Sequence, residues 1–172
     1  GHSVVLISKG KHPRVAIGES STPLSNLILE ELCALYDLPA IAPLAKWGTW
    51  QREYPRIACG LKRGFTFYRH SLGESGSPGS PGRDRGEQLL VAASPHDDIS
   101  DTHWYRADFD HFLVQEAQRL GVDYVDEADL RQFSESADEV LLEGPRCAFL
   151  ARFVVDATAP RGCLHTRTGF GS

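Results

Sequence analysis

The chain has 172 residues, 41% apolar and 24% charged, with 18 basic against 23 acidic side chains and a formal net charge of −5. That composition supports one domain with a core and excludes a wholly disordered or collagen-like chain. No apolar run approaches the ~20 residues of a membrane-spanning helix, and the mildly acidic balance gives no electrostatic reason to bind nucleic acid.

Residues 3–8, with Val4-Val5-Leu6-Ile7, are apolar on both faces and predict a buried parallel strand. A polar turn follows over residues 9–12, and residues 13–21 read as irregular. Thr22 and Pro23 then form a helix start, the threonine as N-cap and the proline where no N–H is needed. Leu24, Leu27, Ile28, Leu32 and Leu35 continue it as one apolar stripe to about Tyr36. Residues 38–55, which contain Trp47 and Trp50, read as a connection.

Residues 61–70 predict a strand, and residues 88–93 a second one antiparallel to it. The stretch between, residues 71–85, is rich in Gly, Ser and Pro and predicts a flexible loop, bounded at most by residues 71–87. Residues 96–103 read as a polar, acidic loop. Residues 106–120 form the clearest helix, with Phe109, Phe112, Leu113, Ala117 and Leu120 on one face and Gly121 as its stop. A short strand is expected over residues 122–125. Residues 126–136 carry no clear signal. A hairpin over residues 140–143 and 147–155 turns at Gly144-Pro145 and runs into Asp156.

Helices connecting strands predict an α/β fold with an attached β meander. The chain contains no methionine and enters a strand almost at once, so the expectation is a piece of a larger domain. Cys33, Cys59, Cys147 and Cys163 lie far apart, with neither a CxxC pair nor a zinc spacing. They predict reduced thiols in a cytoplasmic protein.

Three segments together resemble FAD-dependent halogenases of the tryptophan-halogenase type, and related flavin monooxygenases and geranylgeranyl-reductase-like enzymes. They are Lys11-His-Pro-Arg-Val-Ala-Ile-Gly-Glu-Ser-Ser-Thr-Pro23, Trp104-Tyr-Arg-Ala-Asp-Phe-Asp-His-Phe-Leu113 and Phe153-Val-Val-Asp-Ala-Thr-Ala-Pro160, in the family's order. Trp47-Gly-Thr-Trp50 does not match the family's WxWxIP signature. The resemblance implies a partial FAD/NAD(P)-binding, Rossmann-like three-layer domain over residues 1–172. The family's glycine-rich GxGxxG turn and its C-terminal half do not occur in it. It further implies a fragment, inactive by itself, of an FAD-dependent oxidoreductase that uses reduced flavin and O₂ to oxidise halide or a small-molecule substrate. A flavin reductase would be its partner. A reductase of the geranylgeranyl type and a non-catalytic remnant remain alternatives.

The resemblance also carries residue roles. Ser8 stands where the family usually has a ribose-binding Glu, and Lys9 beside it would meet a phosphate or the adenine edge; the alternative is a plain strand end. Arg14 and the Gly18-Glu19-Ser20 turn would lie along the flavin, or else Arg14 and Glu19 pair with each other. Lys62 matches the lysine that handles hypohalous acid, or is a solvated, inert basic residue at a strand edge. Arg106 would bond the flavin or its ribityl chain, or pair with Asp110 one turn on. Val125 would offer backbone contact to the adenine. Asp156 and Ala157 would meet the cofactor, or Asp156 merely forms a turn. His96, Asp97, Asp98, Asp101 and His103 crowd one stretch without a standard metal spacing, and read as hydrated acidic residues before a helix; no metal is expected.

Overall fold

The computed structural model describes residues 2–69, 88–92 and 94–158. The Gly/Ser/Pro-rich stretch, Cys163, Ala159 and Pro160 lie outside the described residues. The chain divides into two compact units, one of Gly1–Arg14 with Ala117–Ser172 and one of Val15–Glu116.

In the first unit, strand β1 (Val5–Ile7) pairs in parallel with β7 (Asp123–Val125), Val5 facing Asp123 and Ile7 facing Val125. The parallel pairing is as the run of aliphatic residues predicts, but the burial is not. Val5 and Leu6 keep 38% and 40% of their surface exposed, because β7 is the strand's single ladder partner among the described residues. Gly121 stops the preceding helix at φ +90°, a conformation that glycine adopts without strain. The rest of this unit is an antiparallel meander, β8 (Gln132–Glu135), β9 (Val140–Gly144) and β10 (Cys147–Ala151). Strand β8 lies where the polar sequence gave no signal. Strand β10 ends at Ala151, so Phe153 and Val155 are not ladder residues as expected, and both are exposed. Gly144 is required by packing: a Cβ there would stand 2.5 Å from the Asp129 carbonyl oxygen.

In the second unit, helix α1 (Pro23–Leu35) starts as predicted. Thr22 Oγ1 accepts from the Ser25 N–H at 3.1 Å, and Ser25 Oγ accepts from the Thr22 N–H at 2.6 Å, a reciprocal capping box. The predicted apolar stripe is present, but Leu24, Leu27, Ile28, Leu32 and Leu35 are exposed. The helix instead buries the face that bears Asn26 and Cys33. The connection expected over residues 38–55 holds a 3₁₀ turn (Ala42–Ala45) and helix α2 (Trp47–Glu53). This helix packs its Gly48 so closely on the next acidic turn that a Cβ would meet the Asp98 carbonyl oxygen at 2.5 Å.

The single strand predicted over residues 61–70 is two, β3 (Cys59–Lys62) and β4 (Gly64–Tyr68), and β4 pairs with β5 (Gln88–Ala92) in the antiparallel ribbon expected. Part of the stretch expected to be an acidic loop is a strand, β6 (Asp101–Trp104), which buries Asp101 and Thr102 and lies central between β2 (Glu19–Ser20) and β3. Helix α3 (Arg106–Arg119) follows it and buries Ala107, Phe109 and Val114. The core here is Trp50, Leu44 and Phe109, with Trp104, Tyr54 and Phe112 packed around it. Phe109 stacks between two tryptophans, 5.6 Å from Trp50 and 4.5 Å from Trp104 between ring centroids.

Candidate functional site

The second unit places a charged side chain where charge is expensive. Lys62, at the end of β3, is 6% exposed. Its Nζ donates to Ser20 Oγ at 3.2 Å and to the Ser21 carbonyl, and lies 3.9 Å from the centre of the Phe65 ring. The reading of Lys62 as a solvated strand-edge residue therefore does not hold. Burial pushes its ammonium below the ordinary lysine range, opposed by the negative charge of Asp101. Asp101 is itself buried, 2% exposed, and burial pushes its carboxyl upward against the field of Lys62. In the amino-acid sequence Asp101 stands out only as one member of an acidic cluster.

A seat for these groups exists because β6 is flanked by hydroxyls that satisfy one another. Ser21 Oγ accepts from the Thr102 N–H at 2.9 Å, and Thr102 Oγ1 accepts from Trp104 Nε1 at 3.0 Å. Buried hydroxyls persist where each finds a partner, and those of Ser21 and Thr102 do.

Around this seat the expected residues divide. Gly18 is explained by backbone packing, since a Cβ would come within 3.3 Å of the Trp104 carbonyl oxygen. Glu19 pairs with Arg106, whose Nη1 lies 2.9 Å from Glu19 Oε1. Arg106 also binds Asp110 one turn along the helix, as the alternative reading held. Three of its five N–H donors are used in these bonds, and two remain. Ser20 is committed to Lys62.

In the first unit, Ser8 closes β1. Its N–H donates to the Val125 carbonyl at 2.9 Å, and its carbonyl accepts from Ala128 N–H at 3.1 Å. Its side-chain hydroxyl has no partner among the described residues. Lys9 pairs with Asp129 at 2.9 Å, an exposed bridge worth little. Arg14 is exposed. Asp156 accepts from the N–H and hydroxyl of Thr158 in a local turn, and Ala157 within that turn is exposed. The acidic stretch spends its carboxylates on arginines: Asp97 on Arg63 at 2.7 Å and Asp98 on Arg52 at 3.6 Å. Among the described residues no three His, Cys, Asp or Glu side chains converge on a metal position.

No family profile matches the chain. It is 28% identical over 167 residues to monodechloroaminopyrrolnitrin halogenase PrnC of Pseudomonas fluorescens, covering 95% of this chain and 28% of that protein. It is 26% identical over 172 residues to tetracycline 7-halogenase of Kitasatospora aureofaciens, covering 98% of this chain and 29% of that one. The chain resembles the flavin-dependent halogenases. Its structure superposes on halogenase PltM, solved in complex with phloroglucinol and FAD, with a TM-score of 0.79 at 25% identity over 97% of this chain and 31% of PltM. This halogenase-like chain thus spans under a third of the length of each relative. Its α/β fold, which among the described residues has one parallel pair and antiparallel sheets, is the fold of that group. No helix among the described residues is long and apolar enough to cross a membrane.

Proposed function

We propose that this chain is part of the FAD-binding and oxidant-handling portion of an FAD-dependent halogenase acting in the cytoplasm, with a flavin reductase supplying reduced flavin. The observation that carries the reading is Lys62: a buried cation seated on a hydroxyl, a carbonyl and an aromatic face, in a chain similar along nearly its whole length to halogenases. When bound, reduced flavin with O₂ would supply the oxidising power.

The side chains present fit such a cofactor. The Ser8 hydroxyl at the C-terminal end of a parallel strand suits a ribose oxygen, and Val125 beside it suits contact with the adenine. Lys9, Arg14, Asp156 and Ala157 are the other proposed cofactor residues of the first unit. Gly18, Glu19, Ser20 and Arg106 are those of the second. Arg106 brings two N–H donors in a rigid fork, suited to a phosphate or carbonyl oxygen. Glu19 and Ser20 act indirectly, Glu19 by orienting Arg106 and Ser20 by seating Lys62.

Lys62 would hold the oxidised halogen species by donating an N–H to its oxygen, and the surrounding protein would exclude water from it. The names of the relatives suggest the acceptor class: monodechloroaminopyrrolnitrin, tetracycline and phloroglucinol are electron-rich aromatics bearing oxygen or nitrogen donors. An electrophilic halogen reacts with that class.

The test has two parts. FAD titrated into the 172-residue chain should quench flavin fluorescence saturably, and no saturable change would favour a non-catalytic remnant. The polypeptide translated from the native reading frame should halogenate phloroglucinol with reduced flavin, O₂ and chloride or bromide. Lys62→Ala should abolish product while leaving flavin oxidation intact. Flavin turnover without halogenated product in the unsubstituted protein would favour a reductase instead.

A further inference from the structure

Asp101 lies on the central strand of its sheet with almost none of its surface in water, and the neighbouring Ser100 and Thr102 are fully buried. A buried carboxylate is costly unless hydrogen-bonded and faced by a cation. Among the described residues the Asp101 side chain has one hydrogen bond: Oδ1 accepts from Asn26 Nδ2 at 2.8 Å. Oδ2 meets no donor among the described residues.

What faces it is Lys62. The two are direct partners in the antiparallel ladder of β3 and β6, so their side chains leave the same face of the sheet, with Cβ atoms about 4.5–5.5 Å apart. Nζ nonetheless donates elsewhere, to Ser20 and Ser21, and rests on Phe65. Those three neighbours are neutral, and Asp101 is the charge whose field acts on Lys62. An ammonium has three N–H donors. Ser20 and Ser21 take two, and a direct bond to Asp101 would take the third.

We propose that Asp101 is the positioning residue of Lys62: anchored by Asn26 on α1, it keeps the buried ammonium charged and in its seat from one strand away, leaving one N–H uncommitted. The role rests on Lys62 being the functional cation named above. It assigns to α1 a reason for burying Asn26 in place of its apolar stripe: the amide fixes the carboxylate that fixes the lysine.

The experiment is an NMR titration of the Lys62 side chain in the 172-residue chain, the resonance being assigned by its loss in Lys62→Met. In Asp101→Asn, which keeps an oxygen for Asn26 and removes the charge, the Lys62 midpoint should move to lower pH. In Asp101→Glu it should return toward the wild-type midpoint. A folded Asp101→Asn protein with an unmoved midpoint overturns the proposal. The reciprocal arm does not depend on that variant folding: coupling is mutual, so in Lys62→Met the Asp101 carboxyl midpoint should move to higher pH. An unmoved Asp101 overturns the proposal equally. A merely structural Asp101 would alter the denaturation midpoint without moving either titration. Halogenation retained by Lys62→Ala would sink the functional reading of the lysine while leaving both titration results standing.

Discussion

Arg106 grips Asp110 by two parallel bonds, Nε to Oδ1 at 2.5 Å and Nη2 to Oδ2 at 2.9 Å, while its remaining nitrogen reaches Glu19 at 2.9 Å. The two carboxylates are not equivalent. The Asp110 side chain is 12% exposed and Glu19 is 58% exposed. The hydrogen bond to Asp110 is the main cause that raises the guanidinium above its ordinary range, with Glu19 contributing less.

The bidentate, sheltered arm should therefore dominate. Asp110→Asn is expected to cost about 1–3 kcal/mol, because it breaks a charge-assisted pair and leaves a half-buried guanidinium short of one partner. Glu19→Gln should cost no more than about 0.5 kcal/mol, since its bridge is open to solvent. Urea denaturation of both variants, with Arg106→Ala closing the double-mutant cycles, measures this. Equal costs for the two substitutions would contradict the geometry.

The capping box predicts a second, local effect. Thr22→Ala removes the acceptor for the Ser25 N–H and the partner of the Ser25 hydroxyl. Helix α1 should lose about 1 kcal/mol of stability. Thr22→Ser, which keeps the hydroxyl, should restore most of it. Denaturation midpoints with unchanged slopes would show the loss to be one of stability rather than of compactness. A Thr22→Ser protein as weak as Thr22→Ala would mean that the methyl group, not the hydrogen bond, matters.

Those features were legible because they are local. Thr22-Pro23, the aliphatic run of β1, the periodicity of α3 and the glycine that stops it each act within a few residues of their signal. Strand β6 was hidden because Asp101, Thr102 and His103 read as hydrated. They are buried or lie in a ladder because Asn26, Ser21 and Gly60, 43 to 81 positions away, provide partners. Helix α2 was hidden for a related reason. Its Trp, Gly and Thr are indifferent helix formers, and what fixes it is the burial of Trp50 and the closeness of Gly48 to the Asp98 backbone. At the candidate site, family resemblance singled out Lys62, while the carboxylate opposite it could be recognised only once the strand register was known.

Trp50 tests that account of α2. It is fully buried, stacks on Phe109, and its Nε1 donates to the Ile57 carbonyl at 2.9 Å. Trp50→Ala should cost about 3–5 kcal/mol, the range for removing a large buried aromatic. Trp50→Phe keeps the stack and loses the hydrogen bond, and should cost about 1–3 kcal/mol through the unsatisfied carbonyl. Denaturant midpoints and the near-ultraviolet dichroism of the aromatic stack report the two losses. A Trp50→Ala protein as stable as wild type would show that the core lies elsewhere.

The buried carboxyl of Asp101 makes a prediction whose sign is opposite to that of most carboxylates. Its folded-state value is raised above the ordinary 3.8, by burial against the opposing field of Lys62. Between the two values the native state holds a proton that the unfolded state has released. The resulting stabilisation is complete below 3.8 and is lost as pH rises through the folded value. Asp129 behaves in the ordinary way: hydrogen bonds from Lys9 and then Arg131 hold its carboxyl low, so its contribution is lost as pH falls. That contribution is common to wild type and Asp101→Asn and cancels in their difference. The stability of wild type relative to Asp101→Asn should therefore fall as pH is raised from ~3 to ~8. Urea midpoints for both proteins across that range measure the difference. A difference that stays flat, or grows with pH, would mean that Asp101 is better solvated or more tightly paired in the folded chain than its single bond to Asn26 allows.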